Sequence, residues 1–283
     1  MRITLAQVDA ALGDIDANVE RAADAITRAG ADGTDLVVFP ELHLSGYALG
    51  RVADEDDLAM AIDDPRLLRL AELASPAAVL LGFPESTPSW MHTYNSAACF
   101  AAGELVHVHR KLYLPTYDIF EERKHFSPGN SMRAFDLDDV RAATLVCNDA
   151  WQPMLPFLAV QDGARLLLQP ACSAQSRFPE RYDSPTYWHD LSTFYGRMYQ
   201  SFVVFVNRVG REGDLHFFGR SHIVDPWGHT VAEAKADEAD LLTVEIDLDE
   251  VRRRRREIPL LREARLALLR REIERLADNG GDL

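Results

Sequence analysis

Ala142-Ala-Thr-Leu-Val-Cys147-Asn-Asp-Ala-Trp151 is an apolar run that ends on a thiol and then changes character. The small and β-branched residues up to Cys147 read as a buried strand. Asn148 and Asp149 offer N-cap chemistry, so a helix is expected directly after the cysteine. A thiol at such an elbow would face backbone N–H groups and the positive end of a helix dipole, and both favour thiolate. The segment also fits the commoner fate of a free cysteine, a small buried hydrophobe.

Outward from this stretch, short apolar runs alternate with helical ones. Strands are expected at Ile3–Val8, Asp35–Phe39, Ala78–Phe83, Ser96–Ala101, Leu105–Arg110, Ala142–Cys147, Arg165–Gln169 and Ser201–Asn207. Three more are expected within Leu215–Val224, Thr230–Ala234 and Leu241–Ile246. Helical spacing marks Asp16–Ala29, Pro65–Ala74 with proline in its first turn, and Tyr187–Gln200. This is the pattern of an α/β or layered α+β fold. No repeat, linker or break in composition divides the chain, so one unit over residues 1–283 is expected, with a helical arm from about Asp249 interrupted near Pro259.

Lys and Arg total 30 against 45 Asp and Glu, a formal net charge of −15. An acidic surface repels phosphate backbones and anionic lipid, which argues against nucleic acid and membrane as partners. The N-terminus alternates apolar and polar residues rather than presenting a signal-peptide core, and no run approaches the roughly 20 apolar residues of a membrane span. Cys99, Cys147 and Cys172 are widely spaced and odd in number, too few for a disulfide framework. A cytoplasmic protein is expected. The one charge run, Arg252 to Arg256, reads either as an anion-binding patch or as a solvated helix face neutralised by Asp247, Asp249, Glu250 and Glu257; the acidity of the chain favours the second.

Two further residues sit where chemistry is expected. Glu41 follows the buried run Leu36-Val-Val-Phe-Pro40, where partial desolvation would raise a carboxyl toward a general base. Lys111 ends Leu105-Val-His-Val-His-Arg110, where an ammonium could stabilise an oxyanion. Taken singly, each is more readily a solvated loop charge. His107 and His109 lie two apart on one strand face, but no third metal ligand follows at a useful spacing. Neither a P-loop nor a GxGxxG opening a helix is present, so no nucleotide cofactor is indicated.

In order along the chain, these segments resemble the nitrilase superfamily, the carbon–nitrogen hydrolases with a Glu–Lys–Cys triad. Ala6-Gln7 with Gly13-Asp14 and Asn18 is similar to the family's opening. Val37-Val-Phe-Pro-Glu41-Leu42 with Ser45-Gly-Tyr47 resembles its glutamate motif. Tyr94-Asn-Ser-Ala97 and Arg110-Lys-Leu-Tyr-Leu-Pro115 resemble the strands leading to its lysine, and Leu145-Val-Cys147-Asn-Asp149 its nucleophile motif. Asn207-Arg-Val-Gly210 and Gly219-Arg-Ser-His-Ile-Val-Asp-Pro226 with Gly228 match its late strands. The loop from Leu114 to Gly129 is similar to that of the glutaminase domains of NAD synthetases and of carbamoylputrescine-type amidases.

The resemblance implies a four-layer α-β-β-α sandwich, paired across a helical face into dimers or larger homo-oligomers. It implies catalytic roles for Glu41, Lys111 and Cys147, a further glutamate at Glu122 (Glu121 being the less favoured choice), and an oxyanion contact from the backbone N–H of Asn148. It implies a small amide or carbamoyl amine as substrate, a thioester intermediate, and no metal or organic cofactor. Trp151, Cys172, Tyr187 and Trp188 are expected at the pocket rim. Asn148-Asp149 after the cysteine, rather than the Trp-Glu of the nitrile-cleaving branch, favours amides over nitriles. The competing readings are a nitrilase, a biosynthetic amidase or amidotransferase subunit, and a non-catalytic binding protein on the same fold.

Overall fold

Leu36-Val-Val38 (β2) is only three residues long and buried on both faces. Its alternate side chains explain the layering. Leu36 and Val38 join the core between two sheets, while Val37 and Phe39 join a second core under helices. The structure, a computed structural model, describes residues 1–52, 58–89, 91–117 and 120–280.

The first sheet has β2 at its centre, beside Arg2–Gln7 (β1) and Ala78–Ser86 (β3), with which it pairs in parallel. Thr93–Ala101 (β4) and Glu104–Arg110 (β5) extend it antiparallel. On its outer face lie Ile15–Ala31 (α1) and Pro65–Ala74 (α2). Asp14 caps α1 by accepting from Ala17 N at 3.1 Å, and Ile15, Val19, Ala22, Ile26 and Ala29 form its buried stripe. Each Val, Ile or Leu buried in this way contributes about 1.5–3 kcal/mol. Asp64 caps α2, with Pro65 in the first turn as the sequence predicts.

The second sheet repeats the plan. Val140–Thr144 (β7), Leu166–Ala171 (β8) and Phe202–Asn207 (β9) are parallel; Ala134–Leu137 (β6) borders β7 antiparallel. His222–Val224 (β12) and Thr230–Glu233 (β13) close the other side, beyond Val209–Glu212 (β10) and Leu215–Phe218 (β11), which form a separate two-stranded ribbon. Asp240–Glu245 (β14) crosses back to pair antiparallel with β1. Met154–Gln161 (α3) and Ser184–Tyr199 (α4) cover the second sheet through Leu155, Ala159, Trp188 and Tyr195. The result is the four-layer α-β-β-α sandwich. Asp249–Glu257 (α5) and Leu266–Asp278 (α6) follow, with Pro259 between them.

Several boundaries differ from the sequence reading for identifiable reasons. β3 runs past Phe83 through Pro84 because β2 ends at Val38, so no neighbour on that side needs the missing N–H. The Leu215–Val224 stretch holds two strands in different sheets, split where Gly219 and Arg220 both take positive φ. α4 begins three residues before Tyr187, capped by Asp183, and stops where Gln200 turns left-handed at φ 50°. β6 and β10 are short strands with too few residues to show a period. Among the described residues no helix is long and apolar enough to cross a membrane.

Candidate active site

Glu41, Lys111 and Cys147 each lie just beyond the C-terminal end of a strand, β2, β5 and β7 respectively. Ligand sites of open α/β sheets gather at such ends. Gly82 on β3 makes room for the first of these turns, since a Cβ there would stand 2.5 Å from the Pro40 carbonyl oxygen and 2.6 Å from Leu42 N. Leu42 itself takes φ 45° and Cys147 φ 46°, a left-handed backbone that non-glycine residues hold only under constraint from their surroundings.

Lys111 is fully buried between two carboxylates. Its Nζ donates to Glu41 Oε1 at 2.6 Å and to Glu122 Oε1 at 2.6 Å. Glu41 also accepts from Asn95 Nδ2 at 2.7 Å and, through Oε2, from the backbone N of Cys172 at 2.8 Å. Tyr47 Oη donates to Glu122 Oε1 at 2.6 Å. Every oxygen of Glu41 therefore has a donor, which fixes the carboxylate's direction. Of the two glutamates in the loop, Glu122 is the one at the lysine; Glu121 is exposed and pairs with Lys124. Asp118 and Ile119 of the same loop lie outside the described residues.

The charges shift one another. Burial raises the Glu122 carboxyl to about 7, partly opposed by Lys111. Burial alone would lower Lys111, but the charges of Glu122 and Glu41 outweigh it and hold the ammonium well above its ordinary value. Burial first, then the charge of Glu41, pushes the Cys147 thiol well above its ordinary value. This corrects the expectation of a helix-stabilised thiolate. Cys147–Trp151 is a short 3-10 turn, and the α-helix begins only at Met154, too far on for its dipole to act on the sulfur. Burial and the charge of Glu41 both disfavour the thiolate.

Asp149 does not cap a helix either. Its Oδ1 accepts from the backbone N of Leu112 at 3.0 Å and of Tyr113 at 2.9 Å, and its Oδ2 bonds His109 Nε2 at 2.8 Å. It thereby ties the turn carrying Cys147 to the segment carrying Lys111. Asn148 is the second residue of the same turn, in the stretch where backbone N–H groups lack helical partners. Its side chain is held by Tyr117 Oη and the Tyr113 carbonyl, each at 3.2 Å.

Cys147 and Asn148 open into a cavity of about 380 Å³ walled by Tyr117, Phe120, Trp151, Phe178, Tyr182 and Trp188. Trp151 and Trp188 are thus at the pocket, as the sequence reading expects. Tyr187 stands behind it, stacked on Trp151. Cys172 is not at the rim: it lies buried beneath Glu41, its thiol donating to the Glu41 carbonyl at 2.9 Å. His107 stacks on Phe135 and His109 is spent on Asp149. Among the described residues no group of three or more His, Cys, Asp or Glu is placed to hold a metal.

Residues 2–256 match the family model of the carbon-nitrogen hydrolases. The chain belongs to that family, within the nitrilase superfamily. It is 32% identical over 259 residues to a glutamine-dependent NAD(+) synthetase of Thermotoga maritima, covering 88% of this carbon-nitrogen hydrolase but only 42% of the synthetase. It is 32% identical over 272 residues to an (R)-stereoselective amidase of Pseudomonas sp, covering 95% of the chain and 93% of the amidase. The solved amidase from Nesterenkonia sp. superposes with a TM-score of 0.78 at 26% identity, over 96% of this chain and 95% of that one. The chain thus spans less than half the length of the NAD synthetases it matches, and nearly all of the amidases.

Proposed function

We propose that this carbon-nitrogen hydrolase cleaves a small primary amide or carbamoyl amine through a thioester on Cys147. The observation that carries the reading is the thiol at the floor of an aromatic cavity, backed by a buried lysine between two glutamates.

Cys147 Sγ attacks the substrate carbonyl carbon as Glu41 takes the thiol proton. The C=O electron pair moves onto oxygen, which Lys111 Nζ and the Asn148 N–H receive. Losing one such donor typically costs about 3 kcal/mol in the barrier. The C–N bond then breaks, Glu41 returns the proton to the leaving nitrogen, and ammonia departs from a thioester. Water, deprotonated by Glu41, attacks the thioester; C=O re-forms as the C–S bond breaks, Glu41 returns the proton to the Cys147 sulfur, and the acid leaves. Glu122 acts as a positioning residue, holding Lys111 against the pull of Glu41. The same groups favour an amide over a nitrile, because only amide attack creates an oxyanion at this step.

The cavity supports an apolar or aromatic acyl group. Six aromatic side chains wall it, and Arg181 is the one charged side chain among the described residues lining it away from the reacting groups. A second reading, a glutamine-hydrolysing subunit that passes ammonia to a partner, is favoured by the likeness to the NAD synthetases. Ammonia release measured across aromatic and aliphatic primary amides, carbamoyl amines, glutamine and matched nitriles separates these. Highest kcat/KM on an apolar amide supports the proposal, highest on glutamine the second reading, and no release from any amide refutes both.

A further inference from the structure

The run Arg252 to Arg256 divides between the faces of α5. Arg253 is spent on Asp247 and Glu250, at 2.5 and 2.7 Å, and Arg254 lies over the Trp227 ring at 4.5 Å. Arg252, Arg255 and Arg256 share the other face, at i, i+3 and i+4. That face borders a cavity of about 560 Å³, which Arg165 and Arg262 also line. Five arginines therefore line one space, and its lining contains no Asp or Glu among the described residues.

The cavity is built rather than accidental. Arg255 is partly buried and clamped: its Nη2 donates to the Ala164 carbonyl at 2.8 Å and to Ser201 Oγ at 2.9 Å, and its Nε to the Gln200 carbonyl at 3.2 Å. Arg165 is anchored on the Asp139 carbonyl. These carbonyls orient the guanidinium groups without neutralising them. Burial, and then the charge of Arg165, lowers Arg255 to about 10. The nearest carboxylate along the helix, Glu257, lines an adjoining cleft with Arg253 and Arg256, and no ion pair joins it to either. In a chain of net charge −15, five arginines lining one cavity make a local positive field that favours an anion.

We propose that this cavity binds a small polyvalent anion of the phosphate class, pyrophosphate or the polyphosphate of a nucleotide, at a site separate from the Cys147 pocket. Arginine forks match phosphate oxygens in pairs, and two or more phosphoryl groups offer enough oxygens to engage arginines from all three segments, Arg165, Arg252 to Arg256 and Arg262.

The test compares melting temperature in sodium pyrophosphate, in ATP and in sodium chloride at matched ionic strength, for wild type and for Arg252→Gln/Arg256→Gln. Both substituted residues are exposed and lie outside the catalytic machinery, so ammonia release stays unchanged. At ten times Kd, pyrophosphate should raise the wild-type Tm by about 3 °C over chloride. The double variant should lose most of that rise. A wild-type Tm no higher in either polyphosphate than in chloride overturns the proposal, as does a rise that the variant keeps in full.

Discussion

Replacing Glu122 with Gln removes one carboxylate from the buried cluster while keeping an oxygen for Lys111 Nζ and Tyr47 Oη. The Glu122 carboxyl is raised from 4.5 to about 7 by burial, so the folded protein holds a proton there that the unfolded chain has already released. The sign follows. The stabilisation is complete below 4.5 and is lost as pH rises through 7. A rise of this size corresponds to about 3 kcal/mol. Urea unfolding of wild type and Glu122→Gln at intervals from pH 4.5 to 8 follows it, because titrations outside the buried cluster cancel in the difference. The stability of wild type relative to the variant should fall by about 3 kcal/mol across that window. The kcat/KM profile of wild type should show a transition near 7 that the variant lacks. A difference that stays flat, or that grows with pH, refutes the account of a desolvated carboxyl coupled to Lys111.

Asp149→Ala should cost at least about 3 kcal/mol in urea unfolding, since it leaves His109 and the Leu112 and Tyr113 N–H groups without their buried acceptor; a loss under 1 kcal/mol would show that the tie is not structural. On matched amide and nitrile pairs, the amide should have the higher kcat/KM by tenfold or more, and steady-state kinetics favouring the nitrile reverse that assignment. Leu266, Ile273 and Leu276 are exposed on α6, so we expect a dimer or larger assembly; light scattering that returns 31.7 kDa at micromolar concentration excludes it.

Much of the candidate site was legible because its residues stand at strand ends. Glu41, Lys111 and Cys147 each follow an expected strand, and the resemblance of their motifs, in order, to the nitrilase superfamily distinguished them from ordinary loop charges. Choosing Glu122 over Glu121 came from the resemblance to the family's loop, and burial against Lys111 accords with it. What was not legible depends on distant pairing. Cys172 reaches Glu41 across 131 residues, and Asn95 across 54; neither has a local signature. Asp149 looked like a helix cap because its neighbours in sequence permit one, while its hydrogen bonds lie with residues 36 to 40 positions earlier. The layering was hidden for a similar reason: β2 is apolar on both faces, so no alternation shows that one face meets a sheet and the other meets helices.

The nucleophile can be tested on the protein directly. Of the three cysteines, only Cys147 reaches a cavity, at 7% exposure against 0% for Cys99 and Cys172. Iodoacetamide, itself a small primary amide, should therefore label the folded protein once. Peptide mass spectrometry should place the adduct on Cys147, and ammonia release should fall in proportion to the labelled fraction. Full activity in protein whose Cys147 is completely modified would contradict the account.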